Sequence, residues 1–276
     1  MNKTFIRYVC TFAWMLALLI APRAANAQVF KAPGEPVVGE LYHIEVSGNL
    51  WFPTSNVVVS SEALGITGDR IDLVKDLGIG ERTSFREFRL VLRPSDKHKF
   101  KIQYVPMTYT GAARIQRQFV FNGLRYPVNI PVQTAFDWKM WRLGYEYDFL
   151  YLPQGYAGFM IDARLTDARI ELTAPSLGRE FARARGPVPS IGFTGRYYVV
   201  PNVSISSELS FFKIPETLDE QYRAKYIDFD IYGTVNFVNW AGAQIGYRRF
   251  NINYALKKDT GNLTITGLYF AGVVRY

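Results

Sequence analysis

The chain has 276 residues, of which 16% are aromatic, and a formal net charge of +8. Its basic residues are spread along the sequence rather than clustered, so the charge does not favour nucleic-acid binding. The only cysteine, Cys10, lies in a segment that we expect to be removed, which excludes disulfides, thiol catalysis and thiolate metal sites from the mature protein.

Residues 1–27 have the pattern of a secretion signal. A basic start, Lys3 and Arg7, precedes an apolar run that is shorter than the roughly 20 residues of a transmembrane helix. A small-x-small motif ending at Ala27 predicts cleavage after that residue. Arg23 interrupts the apolar run, which argues against the alternative of an uncleaved membrane anchor.

The remaining chain predicts a short periplasmic linker at 28–39 and one all-β domain at 40–276. Alternation of apolar and polar residues recurs in ten segments, and no apolar stretch is long enough for a transmembrane helix. The candidate strands are 40–52, 83–93, 99–110, 133–149, 156–172, 190–200, 203–213, 224–238, 243–255 and 263–276. Since a membrane-crossing strand needs only about 9–11 residues, a barrel can place this much apolar surface in a bilayer.

The connections between the candidate strands alternate in length. Tight turns with proline, asparagine or glycine alternate with longer stretches, which are 53–82, 111–132, 173–189, 214–223 and 256–262. This pattern is typical of outer-membrane barrels, whose short turns face the periplasm and whose long loops face outward. An even strand number places both termini on the turn side.

Alternation gives each strand an apolar and a polar face. In 224–238, Ile227 and Phe229 share one face, and Asp228 and Asp230 share the other. In a bilayer the apolar face meets lipid and the charges point into the lumen, because a basic residue facing lipid at mid-bilayer costs about 2–4 kcal/mol. A soluble lipocalin-like barrel would invert the two faces. The sorting of loops and the aromatic end of the chain favour the membrane.

The last candidate strand carries Phe270, Val274 and Tyr276 on one face. With the signal and the ten-strand pattern, these residues resemble the small bacterial outer-membrane β-barrel superfamily, in which a terminal phenylalanine is commoner. The resemblance implies an up-and-down antiparallel transmembrane barrel, a Gram-negative envelope and insertion by the outer-membrane assembly machinery, with these three residues as its signal. It implies no activity, because the fold hosts pores, adhesins, enzymes and structural proteins.

Charged residues of both signs are predicted to point into the lumen. They are Glu87, Arg89, Arg142, Glu146, Asp162, Arg164, Arg196, Glu208, Asp228, Asp230, Arg248 and Arg275. Buried charges need partners, so we expect a paired network. Barrels of about eight strands are filled by side chains, whereas about 16–18 strands leave a channel. Ten strands therefore favour a mostly occluded lumen, and a narrow porin-like path for small solutes is the alternative.

The sequence does not indicate a catalytic or metal site. Its two histidines, His43 and His98, lie near predicted periplasmic turns, and no G-x-S-x-G motif is present. We therefore expect no enzyme, cofactor or metal site, because histidines this far apart form no metal motif. Asp72 and Asp76 keep open a second alternative, an outer-membrane enzyme acting on lipid or peptide.

Three further features fall on predicted loops or strands. Asn122-Gly123 between alternating residues predicts a hairpin at 119–126, whose aromatic residues are either an adhesive edge or packed against neighbouring loops. The irregular stretch 247–250 predicts a β-bulge. Arginines suit bidentate phosphate binding, so a group of three predicts contact with lipopolysaccharide: Arg179, Arg183 and Arg185. The sequence thus predicts a structural or surface-interaction protein of the outer membrane, whose partners are lipid and lipopolysaccharide and whose protein partner it does not identify.

Overall fold

The computed structural model describes residues 35–62, 66–80, 83–214, 222–256 and 259–276. The predicted signal and most of the predicted linker lie outside these ranges. Within them, no helix is long and apolar enough to cross a membrane.

Ten strands form a closed antiparallel barrel. They are β1 (Ile44–Ser61), β2 (Phe85–Ser95), β3 (His98–Arg114), β4 (Pro131–Leu152), β5 (Gly155–Ala174), β6 (Gly178–Val200), β7 (Val203–Lys213), β8 (Tyr222–Val238), β9 (Ala241–Leu256) and β10 (Asp259–Arg275). Each strand pairs with the next, and β10 pairs with β1, which confirms the predicted up-and-down barrel. The tight turns and Tyr276 lie at one end of the barrel, which we call the turn end, and the opposite end is the loop end.

Most strands extend further toward the loop end than the sequence pattern indicates. The predicted loop 173–189 is largely strand, because β5 runs to Ala174 and β6 begins at Gly178. In the same way β1 continues through the first part of the predicted loop 53–82, as far as Ser61. These extensions were missed because the polarity of the two faces inverts along each strand.

The inversion is clearest on β9. Ile245 and Tyr247 are exposed on the outside while Arg248 is buried inside, and then Arg249 is exposed while Phe250 is buried. The predicted bulge at 247–250 is wrong, because β9 stays in continuous register with β10 over its whole length. Side chains still alternate between the inside and the outside of the barrel. The polarity of each environment is what changes along the strand. The outside is apolar toward the turn end and polar toward the loop end, and the inside is the reverse.

An apolar core occupies much of the loop-end half of the barrel. The segment 66–80 folds inward, and its Ile71, Leu73 and Leu77 are fully buried. The predicted hairpin is present, with positive φ values of 49° at Asn122 and 79° at Gly123. Its aromatic residues are buried and pack against this core, which excludes the adhesive edge: Phe119, Phe121 and Tyr126.

β2 and β7, with 11 residues each, end well short of their long neighbours and leave two notches in the wall at the loop end. The notch beside β2 is sealed by the segment 66–80. There a two-residue strand, Ile71–Asp72, pairs with β1, and Ile79 forms a bridge to Gly111 of β3. Beside β7, β6 is paired only from Ile191 onward, so its residues 178–190 form an unpaired edge on that side within the part of the chain that the structure describes.

Candidate functional site: the charged lumen and the outer rim

All of the charges predicted to point inward lie inside the barrel toward the turn end, each at most 6% exposed. The alternation of the strands places them there, and the closed sheet brings them together. They are Glu87, Arg89, Arg142, Glu146, Asp162, Arg164, Arg196, Glu208, Asp228, Asp230, Arg248 and Arg275. Each of the twelve has at least one oppositely charged partner.

Glu208 on β7 joins opposite walls of the barrel. Its Oε1 lies 2.7 Å from Lys101 Nζ on β3 and 3.9 Å from Arg89 Nη1 on β2. Its Oε2 lies 3.1 Å from Arg142 Nη1 on β4. One carboxylate therefore draws together cations from three successive strands across the lumen.

A second cluster crosses the lumen through Asp228 of β8. Its carboxylate accepts hydrogen bonds from Arg164 on β5 at 2.8 Å and from Arg248 on β9 at 2.8 and 2.9 Å. Arg248 also donates to Glu87 on β2 at 3.0 Å. The two clusters connect, because Arg142 pairs with Asp162 and Arg164 Nη2 lies 3.8 Å from the same carboxylate.

Sequence reasoning missed several members of this network. Lys99 and Lys101 alternate with apolar residues on β3, so the rule that found the other charges applies to them as well; Lys99 Nζ lies 2.8 Å from both Glu146 and Asp148. Glu40 is different, because the predicted strand 40–52 begins only at Ile44 in the structure, so strand alternation does not place this side chain.

Glu40, near the start of the described chain, lies inside the barrel at the turn end. It is 4% exposed, and its Oε2 accepts hydrogen bonds from Arg196 at 3.1 Å and from the Tyr198 hydroxyl at 2.8 Å, both on β6. Its Oε1 lies 3.4 Å from Arg93 Nη1 on β2. The preceding segment is also tied down, because the Val38 N–H donates to the Pro201 carbonyl at 2.7 Å.

The outer surface has an apolar belt toward the turn end. Its residues include Leu50, Phe88, Trp141, Ile161, Phe193, Leu209, Phe229, Ile245 and Phe270, all more than a third exposed. The predicted assembly-signal residues Phe270, Val274 and Tyr276 lie on this outer face, at 50%, 56% and 88% exposure. Where the belt ends, six strands carry an exposed basic residue, a set we call the basic rim: Arg86, Lys139, Arg185, Lys213, Lys225 and Arg249.

The three arginines predicted to contact phosphate lie on the outer face of β6. Arg183 and Arg185 both pair with Asp167 of β5, at 2.6 and 2.9 Å, and Arg179 pairs with Glu171 at 2.6 Å. Hydrogen bonds from Arg183 and Arg185 hold the pKa of the Asp167 carboxyl well below its usual range. Arg169 also pairs with Glu171, at 2.9 Å, so four arginines share two carboxylates on this outer surface.

The acid pair considered for catalysis is engaged in local structure. The Asp72 carboxylate accepts the backbone N–H groups of Val74 and Lys75, and Asp76 pairs with Arg117 at 2.7 Å. The histidines lie at the turn end, where His43 Nδ1 is 3.1 Å from the Arg93 carbonyl. In the described ranges, no group of three or more histidine, cysteine or acidic side chains is arranged to hold a metal ion.

One solved structure shares this architecture. The outer membrane protease OmpT from Escherichia coli is 9% identical, with a TM-score of 0.57 over 84% of this chain and 96% of that one. The Ail attachment invasion locus protein of Yersinia pestis is 7% identical, with a TM-score of 0.35 over 82% of this chain and 97% of that one. An outer membrane channel from Pseudomonas putida F1 is 11% identical, with a TM-score of 0.40 over 92% of this chain and 100% of that one.

No protein-family model and no curated protein matches the chain. At 9% identity the likeness to OmpT concerns the fold and not the activity. The closed ten-stranded barrel, its apolar outer belt and this structural likeness together lead to one conclusion. The chain has the fold of the bacterial outer-membrane β-barrel proteins.

Proposed function

We propose that the protein is an integral outer-membrane barrel with a structural or surface-interaction role, and that its lumen does not conduct. The observation that carries this proposal is Glu208, which contacts cations on three strands of the opposite wall. Glu40 adds a second crossing nearer the turn end, between β6 and β2. Buried charges held this closely by partners on both walls occupy the space that a hydrated ion would need.

Conductance in planar lipid bilayers tests the proposal. The wild-type protein is expected to give no steady ion current, because side chains from opposite walls meet in the lumen. A triple variant, Arg89→Ala, Lys101→Ala and Glu208→Ala, removes one carboxylate and two of its cations and is expected to produce current. Steady ohmic current from the correctly folded wild-type protein would contradict a closed lumen and favour the narrow pore.

The proposal assigns no reaction to the protein. Asp72 and Asp76 are engaged by backbone N–H groups and by Arg117, and the histidines lie at the opposite end of the barrel. General acid–base catalysis needs a proton-transfer group within reach of a bound substrate. Both carboxylates are instead held by these local contacts. A screen for lipid and peptide hydrolysis is expected to find no turnover.

We also propose that the loop-end border of the belt contacts lipopolysaccharide. The basic rim supports this, since six exposed cations encircle the barrel where a phosphate-rich outer leaflet would begin. Replacing Arg179, Arg183 and Arg185 together by glutamine is expected to reduce the lipopolysaccharide retained on purification. The control is the same substitution at Arg114, an exposed arginine further toward the loop end. Equal retention in both variants would remove these three arginines from the contact.

A further inference from the structure

An apolar cavity lies in the loop-end half of the barrel. Its volume is about 270 Å³, and its walls come from β1, β4, β5, β6, β9 and β10, with Val57, Trp138, Ile170, Val188 and Leu263 among the lining side chains. The charge network does not reach this space, and of its lining only Arg183 and Arg185 belong to the proposed lipopolysaccharide contact. A cavity of this size lies just below the ~300–1,000 Å³ range of small-molecule pockets, so it suits one slim ligand.

The cavity reaches the unpaired edge of β6. Three small residues of that edge line the cavity: Ala182, Ala184 and Gly186. Phe212 and Ile214 line it from the end of β7. The notch beside β2 is sealed by the segment 66–80, whereas in the described ranges no strand pairs with β6 residues 178–190 on the β7 side. Within the residues that the structure describes, the cavity therefore has a lateral mouth in the barrel wall.

Two prolines on β6 are consistent with an unpaired edge. Pro187 and Pro189 lie two residues apart, so their backbone nitrogens point to the same side of β6. Proline has no N–H for a ladder and is confined in sheets to edges, strand starts and bulges. If β7 extended along this part of β6, Pro187 and Pro189 could not donate backbone hydrogen bonds to it. The sequence therefore favours an unpaired edge here.

The position of the mouth indicates what can enter. On the outer face of β6 the apolar belt ends at Pro187 and Pro189, and Arg183 and Arg185, which share the single carboxylate of Asp167 on β5, follow at the mouth. Lys213 and Lys225, opposite each other in register, flank the far side of the notch. Like charges directly opposite in a sheet are unfavourable, which an anionic group between them would relieve. The outer surface beside the mouth is therefore apolar toward the turn end and carries these basic residues toward the loop end.

We propose that this cavity binds one long-chain fatty acid, whose tail enters from the membrane through the notch between β6 and β7. The chain lies against Val57, Trp138 and Leu263, and the carboxylate stays at the mouth beside Arg183 and Arg185. This inference goes beyond the closed lumen and does not depend on it, because the cavity lies on the loop-end side of the charge network.

Binding of cis-parinaric acid, a fluorescent fatty acid, to the full protein in phosphatidylcholine nanodiscs tests the site. The wild type is expected to show saturable binding at one site per chain. Ala184→Trp fills the cavity and is expected to weaken binding about tenfold or more. Ala135→Trp is the matched control, since it makes the same change on the outward face of β4 and leaves the cavity intact. Fluorescence that rises without saturation, or equally in all variants, is partitioning into lipid and overturns the site.

A second arm tests the placement of the carboxylate. The double variant Arg183→Gln and Arg185→Gln is expected to weaken binding of the acid about fivefold, as exposed ion pairs of this kind contribute, and to leave binding of its methyl ester unchanged. An equal effect on acid and ester would place the head group elsewhere and overturn the proposed orientation.

Access through the notch is tested with Val188→Cys, combined with Cys10→Ser so that the chain has no other cysteine. A maleimide reagent is expected to label Val188→Cys in the empty protein and to be blocked by parinaric acid. Absence of labelling without fatty acid would show that the notch is closed, and would overturn lateral entry. Saturable binding by a protein that also gives steady ion current would contradict the closed lumen and leave this inference standing, whereas absence of both binding and current would do the reverse.

Discussion

Replacing Glu208 by glutamine is expected to lower the free energy of unfolding by about 3–5 kcal/mol, the usual cost of removing one partner of a buried ion pair. Lys101, Arg142 and Arg89 would each keep another acidic partner but lose the carboxylate that joins them, which leaves one buried positive charge without compensation. The measurement is the urea midpoint of unfolding from lipid vesicles, followed by tryptophan fluorescence.

Glu171→Gln is the matched control for this experiment. Glu171 also pairs with arginines, but it lies on the outside of β5, and Arg179, one of its partners, is 64% exposed. Solvent screens such a pair, so the midpoint is expected to stay close to that of the wild type. If Glu208→Gln unfolds at the wild-type midpoint, the lumen network does not stabilise the barrel and its charges are hydrated.

Arginine in place of Ile245 is expected to lower the free energy of unfolding by about 2–4 kcal/mol, because it would place a cation against lipid near mid-bilayer. Ile245 is 52% exposed in the apolar belt, and its register partners are Gly233 and Phe270. The measurement is the same urea titration in vesicles.

Val58→Arg provides the comparison, since Val58 lies on the outer face of β1 beyond the belt, where it pairs with Asn262. The cost of a lipid-facing charge falls to about 0–1 kcal/mol near the interface, so this variant is expected to unfold near the wild-type midpoint. Equal effects of the two substitutions would mean that lipid does not cover the belt.

Much of the barrel followed from strict alternation in the turn-end half of each strand. The pattern around Phe229 and Asp230, or around Leu209 and Glu208, gives both the strand and the direction of its charges. There the outside is apolar and the inside polar, so one rule applies to every strand. The same rule would have included Lys99 and Lys101, which belong to that half.

The loop-end half could not be predicted by that rule because its surroundings are reversed. Arg249 faces water and Phe250 faces a packed core, so a correct alternation looks like an irregularity. The contacts of Glu40 could not be predicted either, because it precedes the first residue of β1, and a single carboxylate carries no information about the distant Arg93 and Arg196 that bind it. The notch beside β7 arises because β7 is shorter than its neighbours. The sequence does not show this difference, because it becomes visible only when the strands are paired in the sheet.

Glu208 also ties the protein to its strand number. β-Barrels change size in steps of whole hairpins, and diameter grows roughly in proportion to the number of strands. A copy of this barrel enlarged by a duplicated hairpin would move β7 away from β2 and β3, beyond the reach of a glutamate side chain. A barrel in which this carboxylate keeps contact with its three cations is therefore limited to about this size, and a larger barrel would lose these contacts.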